Sequence, residues 1–120
     1  MGKQSNRQKG IYGENIAQKF LLSKEYNIVE TNYRVRFGEI DIIAIDQNCL
    51  VFVEVKYRTS LAFGFPREAV TYKKQEKIRK TAQFYILQKN INQMDIRFDV
   101  IDILEIKPSD IAIEHIQNAF

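Results

Sequence analysis

One acidic and one basic residue interrupt the otherwise apolar segment of residues 50–56. Glu54 and Lys56 are two positions apart, and in a β-strand this spacing places both side chains on the same face. The opposite face is then formed by three valines, Val51, Val53 and Val55. Since a strand on the surface normally carries more polar residues, the pattern indicates a charged pair in or beside a hydrophobic core.

Two further carboxylates can join this pair. Asp41 heads an aliphatic run in the segment that precedes the Glu54 strand. Glu14 lies three residues before Ala17 and seven before Leu21, which places it on or beside the apolar face of a helix. If the three acids converge, two unit charges ~4 Å apart repel by about 4 kcal/mol at an effective dielectric constant of about 20, so the cluster needs a cation.

The donor atoms select the kind of ion. Carboxylate oxygens without a histidine or thiolate nearby suit Mg²⁺ or Mn²⁺ rather than zinc, because magnesium keeps several waters and takes one or two protein carboxylates. The ammonium group of Lys56 adds a fixed positive charge. A metal-polarised water, a lysine that orients it and a basic surface are together what hydrolysis of a phosphodiester requires.

The elements that must hold these residues follow from the spacing of apolar residues. Helical spacing predicts two helices, at residues 12–24 and 70–89. Segments rich in β-branched and aromatic residues predict five strands, at residues 28–36, 39–46, 50–58, 96–104 and 111–116. Gln47 and Asn48 predict a hairpin turn, residues 59–67 a loop, and Pro108 a break before the last strand. The order αβββαββ favours a layered sheet flanked by helices.

The composition is that of one globular domain. The 120 residues are 45% hydrophobic, 28% charged and 12% aromatic, which argues against a disordered or fibrous chain. The aliphatic runs are far shorter than the ~18 residues that span a bilayer, and no secretory stretch follows the N-terminus, so we expect a cytoplasmic protein. Cys49 is the single cysteine, which excludes an internal disulfide. We expect a basic polar leader over residues 1–10, ordered or disordered, and one domain over residues 11–120.

The candidate residues also resemble a known motif. Asp41, followed thirteen positions later by Glu54-Val55-Lys56, resembles the PD-(D/E)xK motif of restriction-endonuclease-like nucleases, with Ile40 in place of the proline. The resemblance is closest to the YraN-like family, whose motifs are similar to those of archaeal Holliday-junction resolvases. It covers nearly the whole chain, through Gly13-Glu14, Asn32-Tyr33-Arg34, Gly38-Glu39-Ile40-Asp41, Val51-Phe52-Val53-Glu54-Val55-Lys56, Phe63-Gly64, Lys74-Gln75, Arg97-Phe98-Asp99-Val100 and Asn118-Ala119-Phe120.

The resemblance implies an α/β fold with a restriction-endonuclease-like αβββαβ core, in which helices flank a central mixed sheet. It implies a DNA endonuclease that depends on Mg²⁺ or Mn²⁺, with branched DNA as the substrate and a homodimer that cuts opposite strands. Lys56 then assists the attacking water, Glu14 completes the site, and Gln75 supports it from the following helix. The implied metal ligands are Asp41, Glu54 and the carbonyl group of Val55.

Basic residues can border the carboxylates. The chain carries 18 Lys and Arg against 15 Asp and Glu, a net charge of +3 that permits a polyanionic partner without requiring one. Residues 71–80 hold five bases and one acid, for which a solvated helix face is the alternative interpretation. No base-reading motif is visible, so we expect DNA to be bound through its phosphates. The candidate phosphate-binding residues are Arg34, Arg36, Arg58, Lys73 and Lys74.

Several residues keep a structural alternative. Glu54 and Lys56 can form an ordinary surface ion pair, and a helix dipole favours Glu14 whatever the function. His115 is more typical of a packed residue than of a general base, and a pairing of neighbouring charges is the simplest interpretation of Arg97 and Asp99. Three tyrosines can stack on bases or pack at strand ends, namely Tyr12, Tyr33 and Tyr57.

Three classes of function are therefore considered. The first is a metal-dependent nuclease. The second is a nucleic-acid-binding module that keeps the fold with little or no turnover. The third is an interaction or scaffold protein whose acids are surface residues, and in that case Mg²⁺ should leave the thermal stability unchanged.

Overall fold

Seven helices and strands follow one another along the chain in the predicted order. The computed structural model describes residues 6–60 and 70–120. The elements are α1 (Asn6–Ser23), β1 (Asn27–Val35), β2 (Gly38–Asp46), β3 (Cys49–Arg58), α2 (Tyr72–Gln88), β4 (Asp95–Lys107) and β5 (Asp110–Ile116). The predicted α/β fold and the order αβββαββ are confirmed. Residues 61–69, which include most of the predicted loop and the Phe63-Gly64 motif, lie outside the described residues.

The predicted start of the first helix was wrong. We expected the helix to begin near Tyr12, whereas α1 begins at Asn6 and takes in the second half of the expected leader. Arg7, Gln8 and Lys9 favour the helical conformation, but they lack the apolar spacing on which the prediction depended. β4 also extends beyond the predicted end to Lys107, through an irregularity that follows Leu104.

The five strands form one mixed sheet in the order β1-β2-β3-β4-β5. β3 pairs with β4 in parallel, and the other neighbours are antiparallel. A parallel pair needs a crossover connection, and α2 supplies it between β3 and β4. The predicted hairpin between β2 and β3 is confirmed by the pairing of Asp46 with Cys49.

The two helices cover opposite faces of the sheet. Val51 and Val53 pack in one hydrophobic cluster with Leu21 of α1, whereas Phe52 packs in a second cluster with Tyr85 of α2. Because successive side chains of a strand point to opposite faces, this division places α1 and α2 on different sides. The predicted split of β3 into a valine face and a face that carries Phe52 is therefore confirmed.

A buried polar cluster connects β4 to the C-terminal segment. The Asp99 carboxylate accepts hydrogen bonds from Arg97 Nε at 2.9 Å, Arg97 Nη2 at 3.0 Å and the main-chain N–H of Asn118 at 3.0 Å. His115 Nε2 lies 2.7 Å from the same carboxylate. Burial alone would raise the pKa of Asp99, but these hydrogen bonds outweigh it and hold the pKa below its usual range. The predicted pair of Arg97 and Asp99 is confirmed, and His115 packs as a structural residue.

In the part of the chain that the structure describes, neither helix combines the length and the apolar character needed to cross a membrane.

A glycine allows the β1–β2 hairpin to lie close against α2. A β-carbon at Gly38 would overlap the hydroxyl oxygen of Thr81 and lie 3.4 Å from the carbonyl oxygen of Lys77. That hydroxyl is fully buried and donates a hydrogen bond of 2.8 Å to the Lys77 carbonyl, so it has little room to move. The start of β2 can therefore approach α2 only where a side chain is absent.

We expect Gly38→Ala to lower the free energy of unfolding by about 1–3 kcal/mol, because the added methyl group overpacks the contact with Thr81. Gly10→Ala is the matched control, since a β-carbon at that helical position meets nothing within 4 Å. It should stabilise the protein by about 0.5–1 kcal/mol. Urea unfolding of both variants measures the effects, and a Gly38→Ala protein as stable as the wild type would contradict the packing argument.

Candidate active site

The site lies where β2 and β3 separate. Main-chain pairing between the two strands ends at Ile42 and Val53. Beyond this point, Asp41 Oδ2 accepts a hydrogen bond of 2.8 Å from the main-chain N–H of Val55. The side-chain carboxylate of Asp41 thus replaces a main-chain acceptor of β2. This hydrogen bond holds an acid next to β3.

The side-chain alternation of β2 changes at the same residue. Ile40 and Ile42 are two positions apart and should share a face in a regular strand. Instead, Ile40 packs in the cluster under α2 and Ile42 in the cluster under α1. Asp41 therefore lies at a backbone irregularity between the two faces of the sheet, where residues from either helix can approach it.

Glu54 stands next to this opening and is held by two lysines. It is only 6% exposed. Its Oε1 atom lies 2.6 Å from Nζ of Lys74 on α2 and 3.7 Å from Nζ of Lys56 on its own strand. Lys56 is thus on the same face as Glu54, as predicted. The ion pair is not an ordinary surface pair, because Glu54 is buried and has a second cationic partner.

The N-terminus of α2 positions Lys74. Thr71 caps the helix, and its side-chain oxygen accepts a hydrogen bond of 3.2 Å from the main-chain N–H of Lys74. The side-chain amide of Gln75 donates to the Val70 carbonyl oxygen at 3.0 Å. Gln75 therefore holds the start of the helix that carries Lys74.

The charges shift one another's pKa values. Burial, and next the charge of Glu54, raise the pKa of Asp41 to about 7, although the hydrogen bond from Val55 opposes the shift. Burial and then the neighbouring Lys74 lower the pKa of Lys56. Burial alone would lower the pKa of Lys74, but the carboxylate of Glu54 raises it. The buried Glu54, the half-buried Asp41 and the two lysines thus form one electrostatic unit.

Glu14 approaches this unit from α1. Burial raises its pKa, a hydrogen bond with the Asn32 side chain opposes the rise, and repulsion from Glu39 and Glu54 adds to it. Asn32 has a backbone φ of 51°, a left-handed conformation that asparagine tolerates better than most residues. The Asn32 side chain in β1 thus forms a hydrogen bond with Glu14 of α1. The sequence alone had indicated no function for Asn32.

Glu14 lies beside the predicted metal ligands, which are Asp41, Glu54 and the carbonyl group of Val55. Over residues 6–60 and 70–120, no group of three or more histidine, cysteine, aspartate or glutamate side chains could hold a metal ion. Glu14 is close enough to raise the pKa of Asp41, but its own hydrogen bond goes to Asn32. Asp41 and Glu54 thus lie together, and Glu14 is a neighbour whose charge interacts with both.

The candidate phosphate-binding residues are distributed unevenly. Arg58 forms a largely buried, two-pronged ion pair with Asp102, at 3.0 and 2.9 Å, which occupies the guanidinium group. Arg34 forms an exposed ion pair of 3.0 Å with Glu39. The remaining cations, with Arg34, line a groove between the β1–β2 hairpin and α2; they are Arg36, Lys73 and Lys74.

The tyrosines considered for base stacking are engaged elsewhere. Tyr12 and Tyr57 both donate hydrogen bonds to the Glu105 carboxylate, at 3.3 and 2.6 Å. Tyr33 is buried and donates to the Gln88 side chain at 3.0 Å. The structural alternative therefore holds for all three.

Comparison with known proteins identifies the family. A model of the family described as "Uncharacterised protein family UPF0102" matches residues 13–103, a range that includes every candidate site residue. The chain belongs to the UPF0102 family. The resemblance to the YraN-like family is thus confirmed.

Relatives of this UPF0102 chain match over its whole length. It is 47% identical over 116 residues to a UPF0102 protein of Clostridioides difficile, which covers 97% of this chain and 99% of that protein. It is 50% identical over 117 residues to a UPF0102 protein of Alkaliphilus oremlandii, with 96% and 99% of the two chains covered. A UPF0102 protein of Clostridium botulinum is 49% identical over 117 residues.

We expect Asp41→Asn to stabilise the protein at alkaline pH. The pKa of Asp41 rises from an ordinary 3.8 to about 7 in the folded state, so the favourable protonated form is lost as the pH rises through about 7. Asparagine stays neutral and can still accept the hydrogen bond from Val55. One unit of pKa corresponds to about 1.4 kcal/mol, and the pKa of Asp41 rises by more than one unit. Asp41→Asn should therefore raise the free energy of unfolding by at least about 1.4 kcal/mol at pH 8 and by almost nothing at pH 4.

Urea unfolding at these two pH values, with EDTA present, measures the difference. Asp110→Asn removes the same charge at an exposed position and serves as the control. If Asp41→Asn were no more stable than the wild type at pH 8, burial and the charge of Glu54 would not raise the pKa of Asp41 as described.

Proposed function

We propose that this protein is a metal-dependent endonuclease that hydrolyses DNA phosphodiester bonds. The observation that carries the proposal is the meeting of Asp41, Glu54 and Lys56 at the opening between β2 and β3. Paired acids beside a lysine, in a largely buried setting, are the groups that hydrolysis of a phosphodiester needs.

The acids present fit Mg²⁺ or Mn²⁺. Asp41 and Glu54 offer hard oxygen donors. Burial, and next the charge of Glu54, raise the pKa of Asp41, and a divalent cation would offset both effects. The N–H of Val55 faces Asp41, and the carbonyl of a strand residue faces the same neighbouring strand as its N–H. These three residues would hold the ion, and magnesium needs no third carboxylate because it retains waters.

The chain's own residues can assist the reaction. A bound ion would polarise the phosphate and make water more acidic. Lys56, whose pKa is lowered by burial and by Lys74, can orient the attacking water and assist the loss of its proton. Gln75 contributes indirectly, since it holds the helix start that carries Lys74. Glu14 tunes the charge of the site through Asp41.

The substrate is proposed to be branched or otherwise irregular DNA, by resemblance to the junction resolvases. Phosphate contacts would come from Arg34, Arg36, Lys73 and Lys74, whereas Arg58 leaves the set because Asp102 occupies it. Cutting both strands of a junction requires two such sites, so the proposal includes a homodimer that acts in the cytoplasm.

We expect Mg²⁺-dependent cleavage that falls at least about 100-fold in both Asp41→Ala and Lys56→Ala. Branched, flapped, single-stranded and duplex DNA are each incubated with Mg²⁺ or Mn²⁺, and the products are separated on denaturing gels. Asp110→Ala and Lys107→Ala change the same residue types at exposed positions and should retain activity. Undiminished cleavage by both site variants would contradict the proposal, as would the absence of cleavage of every substrate.

A second prediction concerns the competition between Lys74 and the metal. The ammonium group of Lys74 lies 2.6 Å from a Glu54 oxygen that the ion would use. We therefore expect Lys74→Met to bind Mg²⁺ more tightly. Each tenfold gain in affinity adds about 1.4 kcal/mol at saturating metal, or roughly 4 °C in melting temperature.

The measurement is the shift in melting temperature between EDTA and 10 mM Mg²⁺, a concentration above the dissociation constants of about 0.1–1 mM of weak divalent-cation sites. Lys73→Met is the matched control, because the neighbouring lysine has no ion pair with Glu54 among the described contacts. An equal Mg²⁺ response of both variants and the wild type would show that the ion does not use Glu54.

One observation favours a second function, a nucleic-acid-binding module without turnover. Glu54 already has two ammonium neighbours, so the site is electrically compensated without a metal. This alternative predicts DNA affinity that survives Glu54→Ala, decreases with salt by about 0.9 logarithmic units per phosphate contact on duplex DNA, and is accompanied by no cleavage. A scaffold function predicts neither DNA binding nor any effect of Mg²⁺ on melting.

A further inference from the structure

A basic groove leads away from the carboxylates. It lies between the β1–β2 hairpin and the first half of α2 and has a volume of about 940 Å³. Among the described residues that line the groove, the single acid is Glu39, which is already paired with Arg34. Its cations are Arg34, Arg36, Lys73, Lys74 and Lys77. This excess of positive charge fits a polyanionic backbone better than a neutral ligand.

Two exposed phenylalanines lie at the hairpin side of this groove. Phe37 lines the groove at the β1–β2 turn and is 47% exposed. It contacts Phe84 of α2, which is 41% exposed, with ring centroids 5.8 Å apart and an interplanar angle of 84°. The pair thus presents aromatic surface to solvent next to a row of cations, a combination typical of surfaces that bind single-stranded nucleic acid.

The distance along α2 between Lys74 and Phe84 gives the separation of the acids from the aromatic pair. Lys74, which contacts Glu54, and Phe84 are ten residues apart on one helix, which corresponds to about 15 Å along the axis. A stacked strand advances about 3.4 Å per nucleotide, so this distance spans roughly four nucleotides. A phosphate at the acids and a base at Phe37 can therefore belong to the same strand.

We propose that Phe37, supported by Phe84, stacks on an unpaired base of a DNA strand whose backbone lies in the basic groove. A base inside a duplex already stacks on both neighbours and offers no free face, so only an unpaired nucleotide can use this contact. The inference rests on the proposed function for its DNA partner and specifies the substrate as DNA with unpaired nucleotides about four positions from the cleaved bond.

Binding is measured by fluorescence anisotropy in EDTA, so that cleavage plays no part. The probes are a blunt DNA duplex and the same duplex with a four-nucleotide single-stranded overhang. We expect Phe37→Ala to weaken binding of the overhang probe by roughly 5- to 100-fold, the range of one lost base stack, and to leave the blunt probe within about twofold. Phe37→Trp keeps a stacking ring and should restore the affinity.

Two further variants separate stacking from charge. Tyr72→Ala removes an aromatic side chain that is 74% exposed on the same helix, outside the groove, and should change neither affinity. Lys77→Ala should lower the salt slope on the overhang probe by about 0.7, whereas Phe37→Ala should leave that slope unchanged.

The outcomes distinguish the inference from the proposed function. Equal losses on both probes, or no loss, would overturn the stacking of Phe37 while Mg²⁺-dependent cleavage could still be observed. If sedimentation shows that Phe37→Ala turns a dimer into a monomer, the aromatic pair is an interface between copies and the inference is also overturned. Selective loss on the overhang probe without cleavage by the wild type would support the stacking and reject the nuclease. A wild-type protein that binds neither probe would overturn the stacking, and Mg²⁺-dependent cleavage of branched or flapped DNA would still test the nuclease.

Discussion

A buried carboxylate with two ammonium neighbours organises this molecule. Glu54 lies within the sheet, where an uncompensated charge is costly, and Lys56 and Lys74 supply the compensation from two elements. Because Lys74 belongs to α2, the ion pair ties the helix to β3 at the same point where Asp41 reaches in from β2. The arrangement of charge and the connection of the layers are therefore one feature, and a ligand that enters must rearrange it.

The opening between β2 and β3 gives Asp41 two tasks. Its carboxylate satisfies the N–H of Val55, which would otherwise lack its sheet partner, and it also faces Glu54. The hydrogen bond from Val55 stabilises Asp41 at a position where the negative charge of Glu54 repels it. This explains how two acids with a shared electrostatic environment persist at the centre of a small domain, and why the site suits a cation that would relieve the repulsion.

The basic residues around the site differ in whether an acid pairs with them. Arg58 lies on the same strand face as Lys56, but its charge is compensated by an ion pair with Asp102. The groove beside α2 forms where Gly38 lets the hairpin approach the helix, and it keeps its positive charge because Glu39 is the single acid among the described lining residues. Arg58 and Lys73 contribute equally to a count of charges along the sequence. In the structure, Arg58 is largely buried in an ion pair with Asp102, whereas Lys73 is exposed at the groove.

Local patterns in the sequence determined the order of the elements, the two faces of β3 and the placement of Glu54 beside Lys56, because the two-residue repeat of a strand is set by backbone geometry. The sequence also indicated Asp41 at the head of an aliphatic strand, and the structure brings it to Glu54. Only the tertiary structure decided that Glu14 forms its hydrogen bond with Asn32, that Lys74 pairs with Glu54, and that Phe37 is exposed while Tyr12, Tyr33 and Tyr57 are engaged in hydrogen bonds. These outcomes depend on a left-handed residue, an irregular strand and contacts between distant segments, which no local spacing encodes.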